Sequence, residues 1–173
     1  AQTVGKRWIV KSGYAGTSTD TLASIKAAVT GAGQADTVIV LEGTYKEKFS
    51  LSFSGPKKLV LASQFLIDGD TNHISRTVIS GAGVNQASSI DVLVGVFGNS
   101  WDSSYFKFVG FTVDSASKYA VSIQGGLVSN CIFKNSGSAN TTPYFFQGTH
   151  VSNVRVFNNI GVTIFTFQGT GTQ

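Results

Sequence analysis

Three short segments, VSIQGG (residues 121–126), YFFQGT (144–149) and FTFQGT (165–170), share one pattern. In each segment, apolar side chains two residues apart lead to Gln and then to Gly. The glutamines are 23 and then 21 residues apart. A side-chain period of two indicates β-strands, and the glycines indicate turns that follow them.

A second series repeats at nearly the same interval. The segments FVGFTVDS (108–115), VSNCIFKN (128–135) and VSNVRVFN (151–158) align without gaps. Two strand series with a common period in the low twenties predict a parallel β-helix, in which each turn of the coil is a rung. Equivalent side chains of successive rungs then stack into ladders. The expected inward ladders are Phe108/Val128/Val151, Phe111/Cys131/Val154 and Val121/Tyr144/Phe165.

The same alignment predicts a corner between strands. Asn130 and Asn153 fall at one bend, where Gly110 stands one rung earlier. Gly and Asn tolerate the left-handed conformation of a sharp corner, and stacked Asn side chains hydrogen-bond one another. Cys131, the only cysteine, is interpreted as a small buried hydrophobe and not as a reactive thiol.

The front of the chain predicts a capping helix over residues 21–33, where Leu22, Ile25 and Val29 form an apolar stripe. Thr19 or Asp20 is expected to cap its start, and Gly31 or Gly33 its end. The helix would cover the open end of the coil. Strands are expected in the segments that follow, DTVIVLEGTY (36–45), FSLSFSG (49–55) and KKLVLAS (57–63).

The whole chain, residues 1–173, is predicted to be one all-β domain with rungs over residues 36–173. The last stretch, GVTIFTFQGTGTQ (161–173), has the pattern of an ordinary rung without a cap. Either the coil continues in a longer protein or this end stacks on another copy. Continuation is the favoured alternative, because a bare parallel edge invites aggregation.

Charge and hydropathy exclude two classes of partner. The net charge is +4, but the basic residues are scattered, whereas nucleic-acid binders concentrate them on one face. No apolar run approaches the length of a membrane span. The sequence therefore predicts neither a nucleic-acid partner nor a transmembrane helix.

Several segments resemble a known family. RWIVKSG (7–13), DTVIVLEGTY (36–45) and LASQFLIDGDTNHISRTVISGAG (61–83) resemble the N-terminal part of secreted right-handed parallel β-helix proteins. These belong to the pectin-lyase-like superfamily, and the third segment is similar to modular secreted proteins of Bacteroidetes-type bacteria. The resemblance implies a right-handed β-helix and a secreted, extracellular or cell-surface location. It does not settle function, because the superfamily includes polysaccharide lyases, hydrolases, tailspikes and adhesins.

One group of charged residues is a candidate ligand site. In the alignment Asp114 stacks on Lys134, and Lys107, His150 and Arg155 are expected on the same outward side. This arrangement predicts a polar groove for an acidic glycan. The favoured alternative is a cross-strand ion pair on a solvated face.

The segment DGDTNH (68–73) is a weak metal candidate. Asp68, Asp70 and Asn72 alternate as in the first half of a calcium loop, but His73 replaces the expected Gly and Ile79 the expected Glu. A polar loop with turn chemistry is favoured, and a structural calcium ion stays the alternative. No other cofactor is expected.

Aromatic residues offer a further binding mode. Trp101, Tyr105 and Phe145 are candidates for exposed rings on which a sugar could stack. For Trp101 the alternative is that it folds back over a bulged rung.

Two functions fit these observations. The first is a non-catalytic structural or adhesive β-helix module that associates with polysaccharide, since the aligned rungs carry no paired carboxylates for hydrolysis. The second is the N-terminal part of a polysaccharide lyase or related enzyme acting on an acidic glycan. An ice-binding face is not favoured, because the outward row Thr112/Ile132/Arg155 is irregular.

Overall fold

Parallel β-sheet dominates the protein. The structure, a computed structural model, describes residues 5–55, 57–86, 92–98 and 105–168. Of these residues 46% lie in strands and 11% in helices. The strand pairings recorded among them are all parallel. The predictions of a mostly β chain and of parallel pairing are therefore confirmed.

The strands of the described residues are short and evenly distributed along the chain. In chain order they are β1 (Arg7–Val10), β2 (Thr21–Leu22), β3 (Asp36–Val40), β4 (Gly43–Tyr45), β5 (Phe49–Ser52), β6 (Leu59–Ser63), β7 (Thr77–Ser80), β8 (Val92–Phe97), β9 (Phe106–Val109), β10 (Thr112–Asp114), β11 (Tyr119–Gln124), β12 (Leu127–Lys134), β13 (Tyr144–Gln147), β14 (His150–Phe157) and β15 (Phe165–Gln168). The helices are α1 (Ile25–Gly31), α2 (Phe65–Asp68) and α3 (Asn72–Arg76).

The strands form two sheets. The larger has ten strands in the order β2-β1-β3-β6-β9-β12-β10-β7-β4, with β14 also paired to β12. The smaller has five strands in the order β15-β13-β11-β8-β5. Strand β12 pairs with β9 through its first half and with β10 through its second half. The strands therefore fall into successive triplets, β3-β4-β5, β6-β7-β8 and β9-β10-β11. Each strand pairs with the strand that has the same position in the next triplet.

The register agrees with the gapless alignment of the sequence. Val128 pairs with Phe108 on one side and with Val151 on the other, and Cys131 pairs with Val154. In the smaller sheet, Tyr144 lies between Val121 and Phe165 in the same way. The expected cross-strand rows are thus confirmed, and Phe111, which precedes β10, is buried in the same core. Cys131 is only 1% exposed, and burial raises the pKa of its thiol to about 12.

The predicted corner is confirmed in its backbone conformation. Gly110, Asn130 and Asn153 have φ angles of 81°, 52° and 50°, all in the left-handed region. Asn153 donates a short hydrogen bond from its side-chain amide to Oδ1 of Asn130. A second left-handed corner, which the alignment contained but which was not predicted, lies five residues further along each repeat, at Ser115, Asn135 and Asn158.

The capping helix is shorter than the predicted range of residues 21–33. Thr21 and Leu22 belong to β2 and pair with β1, and the helix begins after Ser24, whose Oγ accepts from Ala27 N at 3.1 Å. The carboxylate of Glu47 accepts the amide protons of Ile25 and Lys26 at 2.7 and 3.0 Å. The predicted caps at Thr19 or Asp20 and at Gly31 or Gly33 were therefore wrong: Ser24 and Ala32 occupy those positions. Two residues of the predicted stripe, Ile25 and Val29, are confirmed as buried helix residues together with Ala28, whereas the third, Leu22, lies in β2 and not in the helix.

A buried carboxylate joins the front strands to this helix. Asp36, 7% exposed, accepts hydrogen bonds from Trp8 Nε1 at 2.9 Å, Lys6 N at 2.7 Å and Gly33 N at 2.7 Å. Burial favours the neutral acid, but these donors outweigh it and lower the pKa of Asp36. One ionised side chain thus fixes β1 and the end of α1 against β3.

The segment between β6 and β7 is not the simple polar loop expected from the sequence. It contains α2 and α3, and Phe65 at the start of α2 packs against a small second core of Ile39, Ala62 and Val109. These three residues alternate along their strands with residues of the main core, so they lie on the opposite face of the sheet. The insert is therefore packed onto the outer face of the larger sheet.

Candidate functional site

A polar groove lies between helix α3 and the corner of strands β12 and β14. Its volume is about 230 Å³. Its lining includes Asn72, Ile74 and Ser75 from the helix, and Asn130, Asn153 and Arg155 from the strands. We call this feature the Arg155 groove.

The helical wall is fixed to the sheet through Ile74. This side chain is 5% exposed, and its carbonyl accepts a hydrogen bond of 2.8 Å from the buried hydroxyl of Thr112 on β10. Thr112 pairs with Ile132, which in turn pairs with Arg155. Neighbouring strands are about 4.8 Å apart, so roughly 10 Å of sheet separates the helix anchor from Arg155. The groove occupies that interval.

The strand wall combines the Asn corner with a cation. Asn130 and Asn153 both reach the groove, and their mutual hydrogen bond holds the two amides side by side. Arg155 is exposed and forms no ion pair with any residue that the structure describes. Its guanidinium group is therefore available to an incoming carboxylate, hydroxyl or phosphate oxygen.

The lining has the chemistry of a site for a hydroxyl-rich ligand. Its polar side chains provide three amides, the hydroxyls of Thr71 and Ser75, and one guanidinium group, and none of the lining residues is Asp or Glu. Amides and hydroxyls can both donate and accept, which matches the mixed donors and acceptors of a sugar ring. A groove of this composition can orient a glycan, but its own lining supplies no carboxylic acid.

A cluster of charges holds the other side of α3. Nδ1 of His73 lies 2.8 Å from Oε1 of Glu42, and Nε2 lies 3.0 Å from Oδ2 of Asp68. The Arg76 guanidinium lies 3.6 Å from the same Glu42 oxygen. We call His73, Glu42 and Asp68 the His73 clamp. Burial alone would lower the pKa of His73, but the hydrogen bonds and charges of the two carboxylates outweigh burial and raise it above 6.5.

The ion pair expected between Asp114 and Lys134 is present. Lys134 Nζ lies 3.5 Å from Oδ2 of Asp114, while Asn135 and Ser115 donate to the other oxygen at 2.9 and 2.7 Å. Burial acts to raise the pKa of Asp114, but these partners lower it. This geometry fits the favoured alternative of a cross-strand pair, and neither residue lines the Arg155 groove.

Lys107 and His150 lie apart from the other predicted ligand residues. Both pair with Leu127, at the beginning of β12, whereas Lys134 and Asp114 lie beyond the corner at Asn130. The five charged candidates therefore do not form one continuous patch. Of them, only Arg155 lines the groove.

The weak calcium candidates serve as turn and clamp residues. Asp68 Oδ1 accepts from Asp70 N at 2.9 Å, and Asp70 Oδ1 accepts from Asn72 N at 2.9 Å and from Asn72 Nδ2 at 2.8 Å. The favoured turn chemistry is thus observed. Across the described residues, no group of three or more His, Cys, Asp or Glu side chains is arranged to hold a metal ion. The alternative of a structural calcium ion stays a prediction.

Of the three aromatic candidates, two lie among the residues that the structure describes. Trp101 lies outside the described residues. Tyr105 lies just before β9, where the ammonium of Lys58 is 5.8 Å from its ring centre. Phe145 borders a shallow apolar depression of about 310 Å³ on the smaller sheet, together with Phe97 and Tyr119.

Sequence reasoning missed the helical wall and the clamp. Asn72 was considered only as a calcium ligand, and His73 only as the residue that spoils a calcium loop. Glu42 is 31 residues from His73, so no local spacing indicates their contact. The alternating Asp and Asn residues did indicate turns, and those turns lead the chain into α3.

Comparison with known proteins adds no relative: no family model, no curated protein and no solved structure matches this chain. No helix in the part of the chain that the structure describes is long and apolar enough to cross a membrane.

Proposed function

We propose that this chain is a right-handed parallel β-helix module of a secreted or cell-surface protein, and that it binds polysaccharide without catalysing its cleavage. The Arg155 groove is the proposed binding site. The observation that carries this proposal is the composition of the groove, where one guanidinium group lies among amides and two hydroxyls.

The strand pattern supports the β-helix part of the proposal. Three strand types alternate along the chain, each pairing in parallel and in register with its equivalent in the next triplet. Left-handed Gly and Asn residues stand at equivalent corners. Parallel crossovers are right-handed in nearly all proteins, which supports the proposed hand.

The position of the groove supports the binding part. It is built on a corner between strands and on a helix anchored to the sheet, so its walls are held before any ligand arrives. Preformed walls reduce the entropy lost on binding. Asn130 and Asn153 present their amides at the spacing of neighbouring strands, and a polysaccharide likewise repeats its polar groups along its length.

One observation favours the alternative, an enzyme module for an acidic glycan. Arg155 is the kind of cation that would neutralise a uronate before proton abstraction in a lyase. The two candidates make different predictions about turnover. A binding module retains an intact glycan, whereas a lyase releases unsaturated products that absorb ultraviolet light.

The test is a binding titration with matched charge-neutralising variants. An oligogalacturonide and a neutral cello-oligosaccharide are titrated into the full chain by calorimetry. We expect measurable affinity for at least one of them and a loss of about tenfold on Arg155→Gln, as for removal of one charged hydrogen bond. Lys107→Gln removes the same charge at a site before the corner and outside the groove, and it should leave the affinity unchanged.

Three outcomes would contradict the proposal. Equal losses in the Arg155 and Lys107 variants would indicate a non-specific charge effect. No binding of either oligosaccharide would remove the proposed ligand class. Accumulation of unsaturated product would favour the lyase.

A further inference from the structure

The helical wall of the Arg155 groove is held from behind by the His73 clamp. Asn72 and Ser75 face the groove, while His73 lies between them in sequence and contacts Glu42 and Asp68. The clamp therefore joins α3 to two other segments, helix α2 and the connection between β3 and β4. A change in the clamp acts on the residues at either side of His73.

The geometry of the clamp requires a charged imidazole. Carboxylate oxygens only accept hydrogen bonds, and both ring nitrogens of His73 lie within 3.0 Å of one. The imidazolium ion can donate to both. Neutral imidazole carries a single N–H, so one nitrogen lone pair would face a carboxylate oxygen. Loss of the proton thus breaks one contact and makes it repulsive.

Of the other charges that the structure describes near the clamp, only that of Arg76 opposes the imidazolium ion, and the carboxylates of Glu42 and Asp68 outweigh it. Arg76, on the same helix, shares Glu42 with His73. The Asp70 carboxylate, in the turn between α2 and α3, accepts hydrogen bonds from the backbone and side-chain amides of Asn72. On the strands against which α3 packs, Asp114 and Lys134 pair with each other. The raised pKa of His73 places the loss of its proton above pH 6.5.

We propose that His73 is a positioning residue that makes the Arg155 groove sensitive to pH. The imidazolium ion holds α3 against the clamp and keeps Asn72 and Ser75 in place as the groove wall. The neutral imidazole releases that wall. A ligand of the groove therefore binds more tightly in mildly acidic than in alkaline surroundings, and this consequence rests on the proposed function.

The first test needs no ligand. The chain has two histidines, and His150 lies outside the groove, so its ring serves as an internal control. Ring and backbone nuclear magnetic resonance signals are followed from about pH 5 to about pH 9 on the full chain. We expect the amide shifts of Asn72 and Ser75 to follow the titration of the His73 ring. This dependence should disappear in His73→Gln and persist in His150→Gln.

Amide shifts of Asn72 and Ser75 that stay constant while the His73 ring titrates would overturn the inference. So would shifts that titrate unchanged in His73→Gln. Should His73→Gln fail to fold, Glu42→Gln removes one carboxylate charge of the clamp and should shift the titration of the His73 ring to lower pH.

The second test uses the oligosaccharide that binds in the titration above. We expect its affinity to fall about fivefold from pH 6 to pH 9, the equivalent of one lost hydrogen bond. The affinity of His73→Gln should be lower at pH 6 and independent of pH. Constant wild-type affinity would overturn the coupling while leaving the proposed function intact. Absence of any binding would overturn the proposed function, and the resonance experiment would still decide the coupling.

Discussion

Phe133 is an aromatic side chain of the main hydrophobic core. It lies on β12, is fully buried, and pairs in register with Val113 on one side and Val156 on the other. Its ring stacks on Tyr144 with centres 4.9 Å apart and lies 6.3 Å from Phe146. It therefore links the larger sheet to the smaller one.

Replacing Phe133 by Ala removes the whole ring from a site that cannot collapse, because strands on both sides fix the backbone. Phe→Ala changes in cores cost about 3–5 kcal/mol, and aromatic stacking adds about 0.5–1.5 kcal/mol. We expect a loss of about 4 kcal/mol in the free energy of unfolding. For a chain of this size that corresponds to about 8–16 °C in the melting temperature.

The assay is urea unfolding followed by circular dichroism, with Phe157→Ala as the matched control. Phe157 is 46% exposed on the neighbouring strand, so its truncation should cost less than about 1 kcal/mol. Equal losses for the two variants, or a loss below about 1 kcal/mol for Phe133→Ala, would refute the placement of Phe133 in the buried core, in register with Val113 and Val156.

Three further predictions concern single residues. Asn153→Ala should destabilise the protein by about 1 kcal/mol more than Asn153→Gly, because alanine is strained at the observed φ of 50°; equal stabilities in urea would contradict the left-handed corner. Cys131, whose thiol pKa is raised to about 12, should react with a thiol reagent at pH 8 only after unfolding, and fast labelling of the folded protein would contradict its burial. The lowered pKa of Asp36 stabilises the folded protein above pH 3.8, and this stabilisation is lost as the pH falls through the pKa of the folded state. Asp36→Asn should therefore be less stable than wild type at pH 7 and should lose less stability on acidification. Acid unfolding curves of the two proteins check both expectations.

The strand register was predictable because each repeat carries the same local information. The side chains of VSNCIFKN (128–135) and VSNVRVFN (151–158) alternate identically, and a slip of one residue would turn every apolar side chain outward. The corner at Asn130 was predictable for the same reason, since few residues accept its backbone conformation. Periodicity and turn chemistry both depend on residues close together in the sequence, so strands and corners can be predicted from the sequence alone.

The helix start and the groove were not predictable in this way. Helix α1 begins at Ile25 because Glu47, 22 residues further on, accepts its amide proton, and because Thr21 and Leu22 pair with β1 instead. The groove exists because α3 is anchored to Thr112, 38 residues from Ile74. Contacts between residues so far apart in the sequence form only once the sheets have folded. No regular spacing of residues in the sequence indicates them. Trp101, the most prominent aromatic candidate, lies outside the described residues and stays a prediction.

The most direct test of the proposed function is to map where an oligosaccharide binds. Amide resonances of the full chain are followed while an oligogalacturonide or cello-oligosaccharide is added. The account predicts that the largest shift changes cluster at the Arg155 groove, on residues Asn72, Ser75, Asn130, Asn153 and Arg155. Changes centred on Phe97, Tyr119 and Phe145, or the absence of any change, would contradict it.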